Sequence, residues 1–253
     1  MAISEFPTPI KDSLSQFGDL SLNSRSPVKL RGSNFKNSSY LYSDSTTQKQ
    51  WLWKRSNDTA IIREYLASYL ATKLGINVPR ALLAKKGTQI GLLYEWLDES
   101  VELRKIKASK LKNCPPKDVI QLLLLEAWIG ASDRHSGNYL LVKNNLWAVD
   151  LERSFEEDPL DSELSLYFDW LNESQSLIKE RVEEFKKQIL DLKMFQEDSR
   201  IINIIESLPI DTRAKTALKN QVKEMFMCLN TNFQVMSSRI ENYFQKPHKT
   251  SFF

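Results

Sequence analysis

Asp133-Arg134-His135-Ser136-Gly137-Asn138, followed by Tyr139-Leu140-Leu141-Val142, Lys143-Asn144-Asn145 and Leu146-Trp147-Ala148-Val149-Asp150, is the stretch on which the reading of this chain turns. Two apolar runs around a polar turn predict a β-hairpin, and its second strand delivers Asp150. The order is therefore carboxylate, amide, hairpin, carboxylate. Transfer of a γ-phosphoryl group needs a carboxylate that orients the attacking hydroxyl and accepts its proton, together with oxygen ligands for the Mg²⁺ that bridges the phosphates. Asp133 has the placement of the first group, and Asn138 and Asp150 that of the second.

Asp133 and Asn138 have the same offset as the base and the metal-binding amide in the protein-kinase motif H-R-D-x-x-x-x-N. Here the histidine follows the aspartate. D-R-H-x-x-N with a later Val-Asp resembles the atypical kinases, namely the phosphatidylinositol 3- and 4-kinases and the HipA-like kinases. Upstream, Glu64-Tyr65-Leu66-Ala67-Ser68-Tyr69-Leu70-Ala71-Thr72-Lys73-Leu74-Gly75-Ile76-Asn77-Val78-Pro79 resembles the HipA-like segment E-x-L-A-x-x-L-A-x-x-L-G-h-x-V-P. The resemblance covers roughly residues 30 to 155 and is closest to the HipA-like kinases. It implies an α+β, two-lobed protein-kinase-like fold, with a small antiparallel β-sheet lobe carrying one helix and a mainly helical C-terminal lobe. It also implies ATP and Mg²⁺ as cofactors, a serine or threonine of a partner protein as acceptor, and an antitoxin or regulatory partner of the kind that restrains some growth-arresting relatives.

Lys54 ends an aromatic strand, and Glu64 lies one to two turns into the helix that follows. Kinases use a strand lysine to hold the α- and β-phosphates and a helix glutamate to hold the lysine. The plainer alternative is a surface lysine and a solvated glutamate. Glu64 shares a helical stripe with Ala60, Ala67 and Ala71, small residues that let a helix lie close to a sheet. Gly32 and Ser33 fall where a loop could cover phosphates, although one glycine equally suits a plain hairpin turn. Glu95, Trp96 and Leu97 hold the position of an interlobe hinge that offers backbone groups to adenine. For His135 the reading is a hydrogen bond to the γ-phosphate or tuning of Asp133, against a core histidine satisfied by a carbonyl. Arg134 reads as structural, paired with a carboxylate. Glu152 stands where kinases commonly have glycine, which puts the usual activation-loop flip in question.

A chain of 253 residues, 42% hydrophobic and 26% charged, can bury a substantial core as one domain or two lobes. The formal net charge of +3 is small for this length and offers no footprint for nucleic acid. No signal peptide, lipidation motif or long apolar span is visible, so a cytoplasmic protein without membrane insertion is expected. Cys114 and Cys228 are too few and too far apart for a disulfide framework or a zinc site.

Residues 1–27, with Pro7, Pro9 and Pro27, predict an irregular N-terminal arm; 28–97 a nucleotide-binding N-lobe; and 98–253 a helical C-lobe that carries the catalytic loop. Strands are expected at 28–31, 39–42, 50–53, 80–84 and 89–94, with a helix from Asn57 or Asp58 to Leu74 closed by Gly75. Pro115-Pro116 opens a helix whose Leu122-Leu123-Leu124-Leu125 run is too apolar to face water. Amphipathic helices are expected from about Ser162, notably over 178–195 and 212–244.

The segment after Asp150 carries Glu152, Glu156, Glu157, Asp158, Asp161 and Glu163 against a lone Arg153. Such a segment repels an anionic phosphoinositide and suits a basic peptide, which favours a protein serine/threonine kinase. A lipid kinase and a pseudokinase that binds a partner without catalysis are the alternatives.

Overall fold

The structure is a computed structural model, which describes residues 6–10, 20, 22, 28–29, 39–105, 114–155, 175–192 and 199–245. Gly32, Ser33 and the acidic residues 156–163 lie outside the described residues, as does the expected start of helix near Ser162.

Six antiparallel strands form one sheet: β1 (Thr8–Pro9), β2 (Val28–Lys29), β3 (Tyr40–Ser43), β4 (Gln50–Lys54), β5 (Ala81–Lys86) and β6 (Gln89–Glu95), in the order β1-β5-β6-β4-β3-β2. Side chains alternate between its two faces. Trp51 and Trp53 of β4, Leu82 and Ala84 of β5 and Leu93 of β6 gather with Tyr42 on one face. Leu52, Leu83, Leu92 and Tyr94 belong to the main core on the other. Lys54 therefore shares the core-side face with Leu52. Phe6, Leu20, Leu22 and Tyr40 pack against the Trp51 and Trp53 face, and the Phe6 and Tyr42 rings meet edge to face with centroids 6.1 Å apart. Within the arm expected to be irregular, Thr8 and Pro9 pair with Lys85 and Ala84.

Helix α1 (Asp58–Lys73) crosses the core side of this sheet. Asn57 caps it, its side chain accepting from Ala60 N–H at 2.8 Å. At the other end Gly75 takes φ +68°. Gly75 N–H donates to Thr72 O (3.1 Å) and Ile76 N–H to Ala71 O (2.9 Å), the paired bonds of a Schellman motif. Past β6 come β7 (Val101–Glu102), helix α2 (Pro116–Trp128) and the hairpin β8 (Tyr139–Val142) and β9 (Asn145–Ala148), with β7, β8 and β9 forming a second small sheet. The hairpin turns on Lys143 and Asn144, both at positive φ (49° and 69°), the signature of a two-residue type I′ turn. Val119 to Trp128 of α2 are all buried, as its leucine run requires. Helices α3 (Gln175–Leu192), α4 (Ser199–Ser207) and α5 (Thr212–Gln245) complete the helical part, with α3 and α5 packed on α2. Among the described residues no helix is long and apolar enough to cross a membrane.

Candidate active site

Lys54 reaches the core-side face at the last position of β4, where α1 presents Glu64 to it. Lys54 Nζ donates to Glu64 Oε2 at 2.9 Å and Oε1 at 3.2 Å, and to Asp150 Oδ1 at 2.5 Å. Glu152 Oε2 lies 3.3 Å from the same nitrogen. The lysine side chain is 15% exposed and that of Glu64 only 1%, so neither is a solvated surface group. Burial works against the Lys54 charge, yet Glu64, Asp150 and Glu152 outweigh it and hold its pKa above that of an ordinary lysine. Burial pushes the Glu64 carboxyl up; Lys54 pulls it back, and Asp150 adds to the rise. Tyr94 of β6 is buried beside Glu64, and burial with that carboxylate raises its phenol as well.

Asp133 lies on the loop between α2 and β8, at φ +56°, with its side chain 62% exposed. Arg153 Nη1 stands 3.9 Å from Asp133 Oδ2, and Ser132 N–H donates to Arg153 O at 2.9 Å. His135 is exposed, and its Nδ1 accepts Gly137 N–H at 3.0 Å, which leaves the proton of the neutral ring on Nε2. It is thus not a core histidine: it caps the 3₁₀ turn Ser136–Asn138. Asn138 is buried, its Oδ1 accepts His135 N–H at 2.9 Å, and its carbonyl accepts Val149 N–H at 2.9 Å. That last bond ties the Asp133 loop to the strand end that carries Asp150.

Arg134 turns inward. Its Nε and Nη2 bind Glu126 Oε1 at 2.8 and 2.7 Å, and Tyr139 O–H donates to Glu126 Oε2 at 2.7 Å. The expected structural role with a carboxylate partner is thus met by Glu126. That partner was legible only indirectly, as a lone acidic residue within the apolar run of α2. Glu152 beside Lys54 and Arg153 beside Asp133 carried no signal, because side-chain direction beyond Asp150 depends on the backbone path.

At the hinge, Glu95 N–H donates to Arg80 O at 3.0 Å and Trp96 N–H to Gln50 O at 2.8 Å. Both groups are committed to the sheet, so an adenine could not use them without breaking those bonds. The Glu95 side chain pairs with Lys49 and lies 3.6 Å from Arg80. Leu97 follows on the linker. Gly32 and Ser33 lie outside the described residues.

No protein-family model matches the chain, and no curated protein matches it. Solved structures do. The proinflammatory kinase CtkA of Helicobacter pylori superposes with a TM-score of 0.54 at 12% identity, over 88% of this chain and 96% of that one. The HipA, HipB and operator DNA complex of the Shewanella oneidensis toxin–antitoxin system gives 0.55 at 14%, over 96% of this chain and 74% of that one. An N-terminal fragment of LepB from Legionella pneumophila gives 0.54 at 14%, over 84% of this chain, which spans 52% of the fragment. The chain has a protein-kinase-like fold. At these identities the likeness is one of fold alone.

The carboxylate cluster around Lys54 is suited to a divalent cation by its own charges. Glu64, Asp150 and Glu152 offer carboxylate oxygens within 4.8 Å of one another. Three carboxylates face one ammonium, an excess of negative charge made of hard oxygen donors. Asp150, 48% exposed, is open to such an ion. Asn138 Oδ1, with one lone pair given to His135 N–H, keeps the second.

Proposed function

We propose that this chain is an ATP- and Mg²⁺-dependent phosphotransferase that acts on a serine or threonine hydroxyl of a protein. The observation that carries the reading is the convergence on Lys54 of Glu64 from α1 and Asp150 from the end of the hairpin. In this reading residues 28–97 form the nucleotide lobe and 98–253 the lobe with the catalytic loop. Lys54 holds the α- and β-phosphates while Glu64 keeps its ammonium oriented. Asp133, exposed to solvent, orients the acceptor hydroxyl and takes its proton. The acceptor oxygen then bonds to the γ-phosphorus as the bond to the β–γ bridging oxygen breaks, and ADP leaves. Asp150 and Asn138 would hold Mg²⁺, which when bound would neutralise charge on the phosphates. His135 Nε2–H is a donor available to the transferring group. The acidic sequence after Asp150 supports a basic peptide rather than an anionic lipid as acceptor. The toxin–antitoxin complex of the Shewanella neighbour supports a regulatory protein partner of the antitoxin kind.

A second reading, a pseudokinase that binds a partner, is favoured by Glu152, which takes a place on the Lys54 ammonium that a phosphate would need. Incubation with γ-labelled ATP, Mg²⁺ and candidate proteins, followed by mass spectrometry of the products, separates the two. Labelled serine or threonine is expected, and its absence with retained nucleotide binding selects the pseudokinase. In calorimetry, Asp150→Ala and Asn138→Ala should each weaken MgATP binding about tenfold or more, the scale of losing one charge-assisted contact. Unchanged affinity in both removes the metal assignment.

A further inference from the structure

Two residues of the site, Asp133 (φ +56°) and Asp150 (φ +61°), hold left-handed backbone conformations without being glycine. Arg134 stands between them. It follows Asp133 directly in the chain, and its Nη1 donates to Val149 O at 2.8 Å and to Asp150 O at 3.0 Å. Its Nη2 lies 3.4 Å from Asn138 O, so one guanidinium touches the backbone of the loop and of the strand end together. The side chain is 6% exposed, with the Tyr139 ring 5.0 Å away and Glu126 balancing its charge. Burial alone would disfavour the charged guanidinium, and Glu126 and Tyr139 restore it.

A buried ion pair is a weak source of stability, since apolar residues of similar volume commonly serve as well or better. What apolar residues cannot do is bind the carbonyls of two strained turns. The planar fork of arginine does so at fixed angles. We infer that Arg134 is a positioning residue, which holds the Asp133 loop and the Asp150 turn in one fixed arrangement, with Glu126 and Tyr139 as its buried seat. Its kinetic consequence rests on the phosphotransferase reading; its structural consequence does not.

The test compares wild type with a triple variant, Arg134→Met with Glu126→Leu and Tyr139→Phe, and with Arg134→Lys, measuring thermal unfolding, amide exchange over 146–155 and turnover. The triple variant is expected to melt within a few degrees of wild type. Its 146–155 amides should exchange about tenfold faster or more, and kcat should fall about a hundredfold, the scale of a misplacement near 1 Å. Arg134→Lys keeps a charge opposite Glu126 but lacks the fork, so it should show the same two losses, and it decides the matter if the triple variant does not fold. Wild-type exchange and kcat in a folded variant would overturn the inference. If wild type itself transfers no phosphate, the phosphotransferase reading fails, and the exchange rates alone decide the role of Arg134.

Discussion

Around Lys54, burial and charge pull in opposite directions, and three carboxylates decide the outcome for one ammonium. For Glu64 the balance goes the other way, with burial raising its pKa in the folded chain. A carboxyl raised by folding contributes stability that is fully present below its unfolded pKa, about 4.3, and that is lost as pH rises through the folded value. Glu64→Gln should therefore gain in thermal stability relative to wild type as pH rises from about 4 to 7. A relative loss over that window would mean that Lys54 holds the carboxyl down. Activity should fall in the same variant, since the ammonium loses its orienting partner. The spacing of Asp133, Asn138 and Asp150 was readable because one loop and one hairpin place all three within a short length of chain. The pairing of Glu126 with Arg134 was not, because the angle of α2 to the loop is set by its packing on α3, α5 and β9.

The elements that read most clearly were those whose ends carry their own chemistry. Asn57 and Gly75 bound α1, Pro115-Pro116 opens α2, and alternation along β4 sets Lys54 apart from Trp51 and Trp53. Strands β1 and β7 were not foreseen, and for the part of the chain that holds α4 only helix in general was expected, without its bounds. Two-residue strands have no period to read, and Thr8–Pro9 is a strand only because the edge of β5 is there to pair with it. Gly91 of β6 shows how closely the strand before Lys54 is held: a Cβ there would lie 2.5 Å from Trp53 Cη2 and 2.7 Å from Lys54 O. A real side chain must push β4 away. Gly91→Ala should therefore destabilise the chain by about 1–3 kcal/mol, the usual cost of overpacking, as measured by urea denaturation. A neutral effect would mean that β4 and Trp53 shift freely.

At the scale of the whole molecule, the sheet separates the Trp51 and Trp53 cluster from a main core that runs through α1, α2, α3, α4 and α5. The small lobe is fastened to the helical part at Asn77, just past α1. Its carbonyl accepts Ala148 N–H at 3.0 Å, and its amide donates to Asp118 Oδ2 at 3.2 Å and Leu146 O at 3.3 Å. That fastening brings the hairpin end with Asp150 under Lys54, a long-range match that no local pattern announces. That a sheet-rich part is followed by a mainly helical one was legible from the change of hydrophobic period along the chain, whereas the fit of the two was not. The central claim is that Asp133 is the proton acceptor of a phosphoryl transfer whose nucleotide is held by Lys54. The most direct test is single-turnover transfer from MgATP, measured beside nucleotide affinity, in wild type, Asp133→Asn and Lys54→Ala. Asp133→Asn should bind MgATP like wild type and transfer 10²- to 10⁴-fold more slowly, the contribution of a positioned base, while Lys54→Ala should lose both binding and transfer. Wild-type transfer by Asp133→Asn would contradict the account.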